Sequence, residues 1–136
     1  MTEGKNRPRY PLGEHESEGI TSRTGRPLSE LTMENVRAGQ IDQGDFTIHP
    51  DTLRAQAEIA EEAGFCQLGA NLRRAAELAT IPQEKVLSIY EALRPYRLTY
   101  DQLLALADEL DEAYNAHENA ALVREAAQAY RARGLV

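Results

Sequence analysis

Residues 70–97 read ANLRRAAELATIPQEKVLSIYEALRPYR. Leu72, Ala75, Ala76 and Ala79 recur at the spacing of one helical face. Val86, Ile89, Tyr90 and Leu93 do so again after Pro82. Proline is favoured where a helix opens, so Pro82 marks the start of the second helix. Pro95 lacks the N–H that would continue it and stops it. The segment predicts two short amphipathic helices joined by a proline-marked turn. It carries no catalytic constellation and reads as a compact piece held against something.

The same grammar extends outward. Thr99 with Gln102 three residues on forms a capping-box pattern, and Leu103, Leu106, Ala107, Leu110 and Tyr114 supply the face of the helix it opens. After Asn115 a last helix carries Leu122, Val123, Ala126, Ala127 and Tyr130, with Gly134 as a left-handed cap on which Leu135 folds back. Upstream, His49-Pro50 opens a helix with Leu53, Ala57 and Ala60 on one face. Gly64 weakens its end and Gly69 is expected to interrupt the next start, where Leu68 joins the stripe of Leu72. Thr32 caps a short turn, Met33 to Ala38, ended by Gly39. Residues 41–48 read as a connector without a helical face.

Residues 1–28 show no period and hold four glycines and three prolines. Such a composition suits either a tail or an arm that orders on a partner, with Tyr10-Pro11-Leu12 and Pro27-Leu28 as apolar anchors. The expected fold is all-α, a short up-and-down helical bundle preceded by an irregular, extended N-terminal segment. The arm covers 1–28 and the helical domain 29–136, in which a short helix and connector lead to residue 49 and the bundle follows.

The net charge of −7 argues against broad capture of nucleic acid or an anionic membrane. One cysteine cannot form an internal disulfide, no signal-peptide pattern opens the chain, and no apolar run is long enough to span a bilayer. A soluble, cytoplasmic chain is the expectation. Of the hydrophobic 42%, 20 residues are alanine, and Leu, Ile, Val and Phe together number only 28. Alanine favours helices but buries little area. So thin a core implies that a partner contributes stability.

No residue pattern carries catalysis or metal binding. His117-Glu118 begins a zincin-like motif, but Ala121 stands where the second histidine belongs. His15 lies between Glu14 and Glu16 in the arm, and His49 suits a helix cap. Cys66 beside Phe65 reads as a buried structural thiol. Phosphate-binding glycine loops are absent. Asp108-Glu109 and Asp111-Glu112 fall on the solvent side of an amphipathic helix.

The basic residues Arg73, Arg74, Lys85, Arg94 and Arg97 concentrate charge in an otherwise acidic chain. One reading is a helix-turn-helix regulator, with Ala79-Thr80-Ile81-Pro82 as the turn and Gln83, Glu84 and Lys85 opening a recognition helix. The turn lacks glycine, Glu84 would face phosphates, and no basic arm flanks it. The favoured reading pairs these side chains with carboxylates inside the bundle or across a subunit interface, which the planar arginine fork suits. Tyr10, Leu12, Arg73, Arg74, Arg94 and Arg97 are the expected interface residues.

Asn71-Leu72-Arg73-Arg74-Ala75-Ala76-Glu77-Leu78, followed by Ile81-Pro82 and Ala92-Leu93-Arg94-Pro95, closely resembles the small (gamma) subunit of adenosylcobalamin-dependent diol and glycerol dehydratases. Gly25-Arg26-Pro27-Leu28 leading to Leu31-Thr32-Met33-Glu34-Asn35-Val36 resembles the family's entry segment. Thr52 to Glu61, Leu103 to Leu110 and Asn119 to Glu125 fit its helices, so the likeness spans about residues 10–133. It implies a subunit of a lyase whose complex turns a vicinal diol into an aldehyde and water by a radical route. Adenosylcobalamin would be held by the partner subunits and none by this chain. The partners implied are a large and a medium subunit, in a dimer of three-subunit protomers, with no nucleic acid or membrane. The resemblance carries over no catalytic, cofactor-binding or metal residue. The first residues show no counterpart of the additional N-terminal amphipathic helix that takes some relatives into bacterial microcompartments. Encapsulation is therefore expected only through partner subunits.

Overall fold

The computed structural model describes residues 7–136, and helices dominate it. Two isolated bridges, Thr21 with Pro27 and Ser22 with Ile48, are the extended pairings among the described residues. The chain divides into two compact units, Met1–Ala76 and Glu77–Val136.

In the first unit, α1 (Leu12–His15) and a 3₁₀ turn at Ser17–Gly19 precede a segment held by polar bonds rather than by apolar burial. Asp45 is its hub and is only 5% exposed. Its carboxylate accepts hydrogen bonds from the Thr24 hydroxyl and the Asp42 N–H (3.1 Å), and it pairs with the Arg26 guanidinium at 3.1 Å. Arg26 also donates to the Gln40 carbonyl (2.9 Å) and to Glu30 (3.0 Å). Residues 41–48, expected as a plain connector, hold a 3₁₀ turn, Gln43–Phe46, closed by a reciprocal Asp42–Asp45 capping box. Between 3₁₀ turn Leu28–Glu30 and that turn lies α2 (Met33–Arg37), capped by the Thr32 side chain and ended by Gly39 at φ +68°.

His49 caps α3 (Pro50–Glu62), its Nδ1 accepting the Asp51 N–H at 3.1 Å, with Pro50 at the first helical position. Gly64, at φ +86°, turns the chain out of α3. Helix α4 (Cys66–Leu78) follows and runs through Gly69 without a break, correcting the expected interruption. The reason is close approach: a Cβ at Gly69 would lie 2.4 Å from Cγ of Glu61 on α3. Glycine here admits the neighbouring side chain, and the helix bears its conformational cost.

The second unit holds α5 (Gln83–Ala92), α6 (Tyr100–Tyr114) and α7 (His117–Arg133). Helices α6 and α7 form a helical hairpin through Asn115, at φ +53°, and Ala116. The Thr99–Gln102 capping box is present as expected. Gly134, at φ +66°, closes α7, and the Leu135 N–H donates to the Tyr130 carbonyl (2.9 Å) in the expected fold-back. Ile81, Ile89, Ala107, Leu110, Ala116, Ala120 and Val123 form the core, with Val86, Leu93, Leu106 and Tyr114 packed on it.

Three large side chains placed on buried stripes point out instead: Leu68, Tyr90 and Leu122 are 51%, 62% and 41% exposed. Alanines take the interior, with Ala57, Ala76, Ala107, Ala120 and Ala127 fully buried. Helix backbones approach closely over small side chains, which leaves bulky neighbours at the margin of the contact.

Candidate functional site

The six expected interface residues fall in both units. In the first, Tyr10 is exposed and Leu12 is buried as part of the core, so Leu12 serves packing within this chain. Together they edge an open groove of about 730 Å³. Gln56, Ile59, Ala60 and Ala63 line it from α3, and Phe65, Leu68 and Leu72 from the other wall. Its lining carries no charged side chain.

Arg73 is engaged bidentately by Glu61, its Nε on Oε1 at 2.8 Å and its Nη2 on Oε2 at 2.7 Å. Gly69 makes room for that carboxylate, so the glycine and the ion pair are one device. Arg74 donates to the Asn71 side chain. In the second unit, Arg94 and Arg97 both reach Glu91, at 3.3 and 3.2 Å. Lys85 pairs with Glu109 at 2.6 Å. The cation that would lead a recognition helix is thus tied to a neighbouring helix, and Ile81 of the supposed turn is buried in the core.

Cys66 is exposed at the start of α4, which corrects the expectation of a buried thiol. Cys66 opens α4 within the exposed run 62–68, ahead of Gly69, the first buried position of the helix. His117 pairs with Asp111, which also receives Arg124 at 3.1 Å. Among the described residues no three His, Cys, Asp or Glu side chains converge to hold a metal ion. None of the described helices is long and apolar enough to cross a membrane.

Sequence reasoning missed Glu77. The helix α7 starts at Ala116, which has no side-chain acceptor to cap it. The Glu77 carboxylate takes that role, accepting the Glu118 and Asn119 N–H groups at 2.9 Å each and the Asn119 side-chain amide at 2.6 Å. The legible signal was the empty cap position itself; the acceptor lies 41 residues away.

Several carboxylates sit below their ordinary pKa. Hydrogen bonds from Arg73 lower Glu61, and those from Thr24 and the Asp42 N–H lower Asp45. His117 and then Arg124 lower Asp111. The unfolded chain therefore binds more protons in acid than the folded chain. The stability these groups give is in place above the unfolded value of about 4 and is lost as pH falls through the folded values. The expected result is a urea midpoint that is flat near neutrality and declines below about pH 4. Glu61→Gln shallows that decline, as equilibrium unfolding at several pH values measures.

The sequence matches the family model described as "Dehydratase small subunit" over residues 6–136. It is 47% identical, over 121 residues, to the propanediol dehydratase small subunit of Citrobacter freundii. To the propanediol dehydratase small subunit of Salmonella typhimurium it is 46% identical over the same length. Each alignment covers 89% of this chain and 70% of the relative. On that match, which takes in both units and every element described above, this chain belongs to the dehydratase small subunit family.

Proposed function

We propose that the chain is the non-catalytic small subunit of a propanediol or glycerol dehydratase, which stabilises the large subunit of the complex. The observation that carries this is the family match over residues 6–136. The surface supports it. A thin, alanine-rich core stands beside an uncharged groove and exposed Tyr10, Phe65 and Leu68, a distribution that favours burial against a partner. The complex turns a vicinal diol into an aldehyde and water by a radical reaction that adenosylcobalamin initiates.

The described residues do not fit the cofactor. Cobalamin carries its cobalt in its own corrin ring and needs an enclosing pocket, whereas the groove is an uncharged, open trough. We therefore assign cobalamin to the larger partner subunits and no step of the reaction to side chains of this chain. Its own part is assembly, through the arm residue Tyr10 and the arginine-bearing helices with Arg73, Arg74, Arg94 and Arg97. A cytoplasmic dimer of three-subunit protomers completes the proposal.

Co-expression with the cognate large and medium subunits is the test. The expected result is one stoichiometric complex in gel filtration, with diol dehydratase activity that decays faster when this chain is omitted. A chain that elutes alone and leaves the activity and its lifetime unchanged refutes the proposal. Salt-sensitive binding to a preferred DNA site would instead support the regulator reading, which no contact of Lys85 favours.

A further inference from the structure

One end of the second unit is built differently from the rest of this acidic chain. There the turn after α5 meets the end of α7. The Tyr96 N–H donates to the Leu135 carbonyl (2.8 Å), and the Tyr130 hydroxyl to the Leu93 carbonyl (2.6 Å). These bonds gather Arg94 and Arg97 at the end where Arg131 and Arg133 close α7. Side-chain carboxylates at this end include Glu91, which Arg94 and Arg97 share, and Asp101 in the first turn of α6. Four arginines thus stand at this end with two side-chain carboxylates, in a chain of net charge −7, and one of the four, Arg131, lies over the Tyr100 ring at 4.7 Å.

Tyr96 is the anomalous residue. The Arg97 N–H bonds the Arg94 carbonyl (3.3 Å) and closes a four-residue turn with Pro95 second and Tyr96 third. Tyr96 stands at φ +64°, the pattern of a type II turn, whose third position ordinarily takes glycine or asparagine. A bulky side chain is strained in that backbone. Its ring gains little burial in return, since Tyr96 is 73% exposed. On the adjoining helix Leu87 and Tyr90, three residues apart on one face, are also exposed. Exposed tyrosine close in the chain to arginine is the composition of an interface hot spot.

We propose that this arginine–tyrosine end of the second unit seats an acidic segment of the large subunit, with Tyr96 as its central anchor. The proposal rests on the small-subunit reading and goes beyond it by naming the docking face and the charge of its partner. Charge complementarity selects the occupant: a surplus of guanidiniums favours carboxylates, and strained, exposed Tyr96 supplies apolar area between them.

The test uses the full chain co-expressed with its large subunit. Tyr96→Gly removes the ring and relieves the backbone, so the free chain's melting midpoint is expected unchanged or higher. Its affinity for the large subunit is expected to fall by about tenfold or more. Arg94→Glu with Arg97→Glu weakens the complex similarly, and Arg94→Gln with Arg97→Gln flattens its salt dependence. Variants that assemble as wild type does, across all salt concentrations, overturn the docking face and leave the subunit reading standing. A wild-type chain that finds no large subunit overturns the subunit reading and this inference with it. Dimerisation of the free chain through this end, or DNA binding lost in the Arg→Glu variant, overturns it as well.

Discussion

Leu110→Ala lowers the stability of the chain by about 3 kcal/mol, read as a drop in the urea midpoint at unchanged slope. Leu110 is fully buried on α6, at the centre of the cluster that includes Ile81, Ile89, Ala116, Ala120 and Val123. Truncation removes the transfer energy of the lost carbons, and the cavity adds to it where neighbours cannot collapse. Here they collapse poorly, because Ala107, Ala116 and Ala120 have no flexible side chain to move into the gap. Leu122→Ala, at a 41% exposed position on α7, costs less than about 1 kcal/mol in the same assay. Equal losses at the two positions would mean that the core does not run through Leu110.

Glu77→Ala costs about 2 kcal/mol and frays the start of α7. Its carboxylate accepts two backbone N–H groups at the helix N-terminus and the buried Asn119 amide, and its negative charge complements the helix dipole there. Ala116 offers no substitute acceptor. The checks are the urea midpoint and faster amide exchange at Glu118 and Asn119. Glu77→Asp shortens the reach and recovers only part of the loss. Unchanged exchange in Glu77→Ala would show that solvent caps the helix equally well.

How much of this was legible depended on the range of the interaction. The Thr99–Gln102 box, the Gly134 cap, the Thr32 cap and the His49-Pro50 start are all read within four residues of chain, and each stands where its pattern placed it. Family membership was legible from the run of residues around Asn71 to Arg74, and the comparisons bear it out. The burial of large side chains was less so. Periodicity placed Tyr90 with Ile89 and Leu93, yet only knowledge of which helix lies opposite separates Ile89, 7% exposed, from Tyr90, 62% exposed. The arginines were read as carboxylate partners, and Arg73, Arg94 and Arg97 have them, but the sequence does not say that Glu61 or Glu91 is the mate.

The sequence by itself determined that the chain is helical, where most of its long helices start and stop, and which family it joins. Caps, prolines and glycines act on the nearest few backbone groups, so their meaning is local. Only the tertiary structure decided that Gly69 admits Glu61, that Glu77 caps α7, and that Asp45 gathers residues 24 to 42. It alone showed that Tyr96 is held outward in a left-handed turn beside the end of α7. These depend on groups from distant parts of the chain meeting at hydrogen-bond distance. Within each unit that meeting is set by how closely its alanine-lined helices pack, and around Asp45 by the polar bonds themselves.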